Sequence, residues 1–155
     1  MIDSGPIDDN ALMNIELDYY HALFDGRLCP SQKDPDGKKR KFYPFQSMWE
    51  LFVYAAIVGI NQDKKKPIDK NHKPFRWFNI GQNHQKNLLV LIISKYNSFE
   101  LLNNKEELKK MIEEYANGGL SIINMEIKNN PSAYSDLEIL TYKVLGDIEE
   151  QSLKV

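Results

Sequence analysis

Apolar positions recur at helical spacing along most of this chain, and two polar, lysine-rich stretches interrupt the recurrence. From about Ala11 the series Leu12, Ile15, Tyr19, Ala22 and Leu23 steps mainly by three and four, which predicts a first helix to about Phe24. Asp25-Gly26 closes it, Gly26 being able to take the left-handed cap conformation. Ser47 with Glu50 three residues on forms a capping box for a second helix. Trp49, Phe52, Val53, Ala56 and Ile57 or Ile60 put apolar groups on most sides of it, so it is expected at the centre, with Gly59 marking its end. A third helix covers about 83–95 through Leu88, Leu89, Leu91, Ile92 and Ile93. A fourth starts at an Asn104 cap with Glu107 in reach and runs to about Lys128. Beyond Pro131, Ser135 and Glu138 form another capping box, and Leu137, Leu140, Val144, Leu145 and Ile148 supply the stripe of a fifth.

The connections are long. Residues 27–44 carry the turn signal Asp34-Pro35-Asp36-Gly37, then Lys38-Lys39-Arg40-Lys41 and the aromatic cluster Phe42-Tyr43-Pro44-Phe45. Residues 61–81 carry Lys64-Lys65-Lys66-Pro67 and His72-Lys73-Pro74, and their run Phe75-Arg76-Trp77-Phe78 reads as a short strand or an aromatic loop clamp. The expected fold is all-α: a compact single-domain bundle of about five helices over 10–155, with two long basic loops and a disordered N-terminus at 1–9. Trp49, Phe52, Val53, Ala56, Leu89, Ile92, Ile112 and Leu140 are expected to share one core.

The fourth helix contains Glu113-Glu114-Tyr115-Ala116-Asn117-Gly118-Gly119-Leu120. A glycine pair in a helix interior costs about 2 kcal/mol relative to alanine, at roughly 1 kcal/mol each. Yet Leu108, Met111, Ile112, Tyr115 and Ala116 before the pair and Leu120, Ile122, Ile123 and Ile127 after it keep one stripe in phase. Gly118 and Gly119 are therefore expected inside a continuous or kinked helix, at least one of them buried against a neighbouring element.

Composition narrows the class. With 155 residues, 42% hydrophobic and 27% charged, the chain fits one globular domain. Its best apolar run, Leu88 to Ile93, falls far short of the ~20 residues of a membrane helix. The N-terminus lacks the basic and apolar regions of a signal peptide, so the cytoplasm is the expected location and no membrane partner is implied. Charge is segregated. Residues 27–76 hold 12 Lys and Arg against 5 Asp and Glu, whereas 1–26 hold none against 6 and 77–155 hold 8 against 11. A basic block between acidic ones points to a preferred anionic partner or self-contact.

The residue chemistry spells out no reaction. His21, His72 and His84 are not paired at i,i+3 or i,i+4, so no metal site is read. Cys29 is the sole cysteine; it forms no internal disulfide, and a nucleophilic role needs a histidine that sequence does not place beside it. Glu113 and Glu114 point about 100° apart on a helix and read as a solvated face. No glycine-rich phosphate loop is present, and no cofactor is expected. What remains is the basic block. Clustered lysine and arginine give sequence-independent affinity for nucleic acid, and interleaved aromatics such as Trp77 are able to stack on bases. An acidic protein surface suits the same block.

Two segments resemble the DNA phosphorothioation (Dnd) system-associated protein 4 family. They are Trp49-Glu50-Leu51-Phe52-Val53-Tyr54-Ala55-Ala56-Ile57-Val58-Gly59 and Glu113-Glu114-Tyr115-Ala116-Asn117-Gly118-Gly119-Leu120. The resemblance implies a small cytoplasmic accessory of a prokaryotic DNA-modification or restriction defence system directed against phage. It carries over no catalytic residue and implies an adaptor or regulator near DNA, bound to a protein component of the locus.

The leading expectation is thus a non-enzymatic adaptor that binds a partner protein and contacts DNA. A free-standing nucleic-acid-binding module and a nuclease with dispersed carboxylates are the alternatives. Lys38, Lys39, Arg40, Lys41, Lys65, Arg76 and Trp77 are the expected binding residues. Both basic loops flank the helix at 46–60, and the cations form one positive face if at least one loop folds back along it.

Overall fold

The computed structural model describes residues 5–30 and 43–134. The fifth helix expected at 137–148, its capping box and the cations Lys38, Lys39, Arg40 and Lys41 lie outside the described residues.

The chain is not an all-α bundle. A strand, β1 (Leu12–Glu16), stands where the first helix was expected, and pairs antiparallel with β2 (Asn71–Arg76). Helix α1 is the single turn Leu17–Tyr19, running into a π-helical turn at Tyr20–Phe24. Three longer helices follow among the described residues: α2 (Met48–Asn61), α3 (Gln82–Tyr96) and α4 (Lys105–Asn129). Local pattern misleads at β1 because Leu12, Met13 and Ile15 satisfy both periods. Met13 and Ile15 turn inward and are fully buried while Leu12 is 41% exposed, a two-residue alternation that pairing with β2 rewards. Phe75 lies opposite Met13, so the aromatic run at 75–78 begins as a strand and continues as a 3₁₀ turn, Trp77–Asn79.

The register slips by one between Met13 and Ile15. Pro74 in β2 has no N–H for a ladder, and Asn14 directs its own N–H to the Glu113 carboxylate of α4, at 2.5 Å. The two-stranded sheet is thereby tied to the helix that carries the glycine pair. The chain before it is tied as well: Ile7 is buried and the Asp9 carbonyl accepts from the Phe78 N–H at 3.0 Å.

Helix α2 is central. Leu51, Phe52, Val53, Ala55, Ala56, Gly59 and Ile60 are buried, and it packs along α4 more extensively than any other pair of elements meets. Ile92 and Ile112 join the same core, while Trp49 and Leu89 sit half-buried at its edge. Of the expected caps, Asn104 accepts from the Glu107 N–H at 3.2 Å. Ser47 does not cap with its side chain; Glu50 accepts from the Gln46 N–H instead, one residue earlier.

Candidate functional site

Helix α4 runs unbroken through Asn117-Gly118-Gly119, and all three residues are buried. A β-carbon added to Gly119 would overlap the carbonyl of Ala55 on α2, and one added to Gly59 would overlap the carbonyl of Tyr115 on α4. The two helices thus meet backbone to backbone, each glycine making room for the other helix. Gly118 faces elsewhere: its added β-carbon would strike the carbonyl of Lys64. That residue begins a strap, residues 64–70, which leaves the end of α2 and crosses α4 before entering β2.

The strap is fastened along its length. Asp63, in the left-handed conformation at φ 52°, turns the chain out of α2. The Lys64 N–H donates to the Gly59 carbonyl at 2.8 Å, and the Lys66 N–H to the Glu114 carbonyl at 2.9 Å. Asn117 donates from its amide nitrogen to the carbonyls of both Lys66 and Pro67, each at 3.1 Å. The Glu16 carboxylate accepts from the N–H groups of Asp69 and Lys70, and the Lys70 carbonyl accepts from Leu17. Glu114, Asn117, Gly118 and Gly119 each hold or admit backbone, which explains why so helix-weakening a sequence stands in a long helix. Glu113 is part of the same economy: it is 5% exposed and receives both the Asn14 N–H and Lys109 Nζ, the latter at 2.8 Å. The expectation of a solvated acidic face fails there.

Fixed below, the strap is exposed above. Lys64, Lys65, Lys66 and Pro67 are all exposed. Lys64 lays the root of its side chain over Gly118. Lys65 Nζ stands 6.0 Å from the ring centre of Tyr96 and 5.8 Å from that of Tyr115, whose hydroxyls bond to each other at 2.6 Å. Lys66 Nζ bonds the Tyr19 hydroxyl at 2.7 Å. Among the described residues none of these three ammonium groups is ion-paired. Two nearby carboxylates are engaged elsewhere, Asp63 by Lys95 at 3.0 Å and Glu16 by the strap's own backbone. Beside the strap, Asn14, Pro67, Ile68, Asn71, Lys110, Glu113 and Glu114 line an open cleft of about 390 Å³.

Of the sequence-derived binding residues, Lys65 lies on the strap, and Arg76 is exposed at the far end of β2. Five residues of strand, at ~3.3 Å each, separate Arg76 from Asn71 by about 17 Å. Trp77 is 2% exposed and belongs to the core, as does Phe75, so neither ring presents a face to a base; Phe78, 59% exposed, does. Sequence reasoning passed over Lys64, Lys66 and Asn117. The signal for Asn117 was available: a carboxamide beside two glycines on a packed face requires hydrogen-bond partners.

Cys29 is fully buried, and its thiol is held in the protonated form. Its thiol donates to the Phe24 carbonyl at 3.1 Å, and burial first, then the charges of Asp25 and Glu50, pushes its pKa up to about 12. Among the described residues no three His, Cys, Asp or Glu side chains converge as a metal set, and no helix is long and apolar enough to cross a membrane.

A small α+β domain built on a glycine-mediated helix crossing, with a fastened basic strap, is the class that this geometry defines. The family model for DNA sulphur modification system-associated protein 4 matches residues 34–152, and the chain belongs to that family. No curated protein and no solved structure matches it.

Proposed function

We propose that the protein is a non-enzymatic accessory of a DNA sulphur-modification system, one that binds rather than converts, and that the strap 64–67 is its working surface toward an anionic component of that system. One observation carries this reading. The family-like segment of α4 uses a backbone carbonyl, a carboxamide and a glycine to hold the strap's main chain, and the strap uses that support to present three lysines that form no ion pair among the described residues. Ordering in advance lowers the entropic cost of binding through flexible side chains. Membership of the family supports the setting. Lys38, Lys39, Arg40, Lys41 and Arg76 extend the same basic character and belong to the proposal as secondary contacts.

Co-expression with the protein components of its own system, followed by affinity capture, tests the reading. Retention of a component by the native chain, and its loss on Lys64→Glu/Lys65→Glu/Lys66→Glu, is the expected result. Retention of none, or divalent-metal-dependent cleavage of DNA by the purified chain, overturns it.

A further inference from the structure

We infer that the strap's anionic partner is the sugar–phosphate backbone of duplex DNA, gripped without reading the bases. The inference rests on the accessory reading above and makes its partner specific. Three features of the surface favour phosphate over an acidic protein.

The first is the kind of cation. Lys64, Lys65 and Lys66 are point charges, and no arginine stands among them. Protein–protein interfaces are enriched in arginine and depleted in lysine, whereas a lysine ammonium is a customary point-charge partner of a phosphate.

The second is the lack of an apolar anchor among the exposed residues from Asn61 to Pro67, Ile68 being half-buried. Protein interfaces concentrate their energy in buried aromatic or aliphatic groups near the centre of the patch. The stretch Asn61-Gln62-Asp63-Lys64-Lys65-Lys66-Pro67 is exposed throughout and offers only Pro67. A charged ridge of this composition suits a ligand whose affinity comes from counterion release.

The third concerns the neighbouring rings. Tyr19 lies beneath Lys66 and Tyr96 and Tyr115 beneath Lys65, with Tyr96 and Tyr115 bonded hydroxyl to hydroxyl. Tyr115 is buried and Tyr19 half-buried, so of the three rings only Tyr96, 39% exposed, offers part of a face, short of the row of stacking platforms that single-strand binding uses. The strap therefore contacts what every duplex has in common.

The test uses the full chain and two 20-base-pair duplexes of unrelated sequence, with fluorescence anisotropy at salt concentrations from 50 to 200 mM. Lys64→Gln/Lys65→Gln is the variant, since both side chains are exposed and neither main-chain group changes. Equal affinity for the two duplexes is expected, with a salt slope about two units shallower in the variant, at roughly 0.9 per phosphate contact. An unchanged slope in the variant, or a tenfold preference between duplexes, overturns the inference. Failure to bind either duplex, while affinity capture still retains a protein component through the same lysines, overturns the DNA assignment and leaves the accessory reading standing. Duplex binding with the expected slope but no component retained does the reverse.

Discussion

Two contacts of α4 lie within one turn of each other and follow opposite rules. Against α2, Gly119 and Gly59 admit the carbonyls of Ala55 and Tyr115, with no space left for a methyl group on either side. Against the strap, Glu114 and Asn117 use three hydrogen bonds, and the side chains above them remain in water. The first contact is steric and closed; its atoms have nowhere to move. The second is directional and open, fixing a main chain while leaving its side chains free for other work. Adjacent residues of one helix thus divide between holding the fold together and holding a surface out from it.

The steepest loss is expected where there is no slack. Gly119→Ala drives a methyl group into the Ala55 carbonyl, which is backbone and unable to rotate away. The helices must separate, and a loss of about 3 kcal/mol or more is expected, at or above the usual range for overpacking. That is despite alanine's helix propensity, which favours the substitution by about 1 kcal/mol. Urea unfolding measures it directly. A neutral or stabilised Gly119→Ala variant would show that the crossing is looser than described and would erase the contrast.

On the strap side the effect is smaller and local. Asn117→Ala removes two part-buried hydrogen bonds to carbonyls of otherwise exposed residues, so about 1–2 kcal/mol is expected. Its clearer signature is in hydrogen exchange. The Lys66 amide, bonded to the Glu114 carbonyl, should lose protection, while amides in the middle of α2 keep theirs. Equal loss at both places would mean that strap and crossing open as one unit.

These two contacts were unequally legible in the sequence. A glycine pair inside an unbroken apolar stripe announces close packing, because nothing else compensates for its cost, and α4 was readable from Asn104 to its end on the same pattern. The strap was not. Lys64 to Pro67 reads as any solvated basic loop, since what fastens it is main chain bonded to main chain and to one carboxamide, 50 and 51 residues away. Such bonds leave no periodic trace. The two-stranded sheet escaped for a related reason: Leu12, Met13 and Ile15 fit a helix as well as a strand, and only β2, nearly sixty residues on, decides between them. Pattern shows which side of an element is apolar, but not which distant backbone will meet it.

Tyr115 belongs to both contacts, its carbonyl against Gly59 and its ring beneath Lys65. Burial, then the hydrogen bond with Tyr96 and the charges of Tyr96 and Asp63, raises its pKa above the usual 10.0. The unfolded chain therefore releases this proton at lower pH than the folded one. Its contribution to stability is complete below about pH 10 and declines as the pH rises further. Tyr115→Phe should flatten that alkaline decline in denaturant midpoints measured from pH 8 to 11, with a modest loss at neutral pH from the missing hydroxyl bond. An identical slope in the variant would mean that the ring is more open to water, and the boundary between the two contacts less sharp.

The smallest expected effect bears most directly on the division of labour. Lys64→Gln/Lys65→Gln should change stability by no more than about 0.5 kcal/mol, as exposed substitutions away from packed features usually do. A small gain is as reasonable as a small loss. The two ammonium groups stand beside Lys66, and relief of their mutual repulsion offsets the lost attraction of Lys65 to the rings of Tyr96 and Tyr115. Thermal melts at 50 and 200 mM salt separate these terms, because screening weakens repulsion between exposed charges more than a contact against a ring. A loss of 2 kcal/mol or more would mean that the lysines serve the fold, holding the strap down as Asn117 does. Near-neutrality would leave three cations held in the open without a part in holding the fold, which is the outcome that the proposed binding role requires.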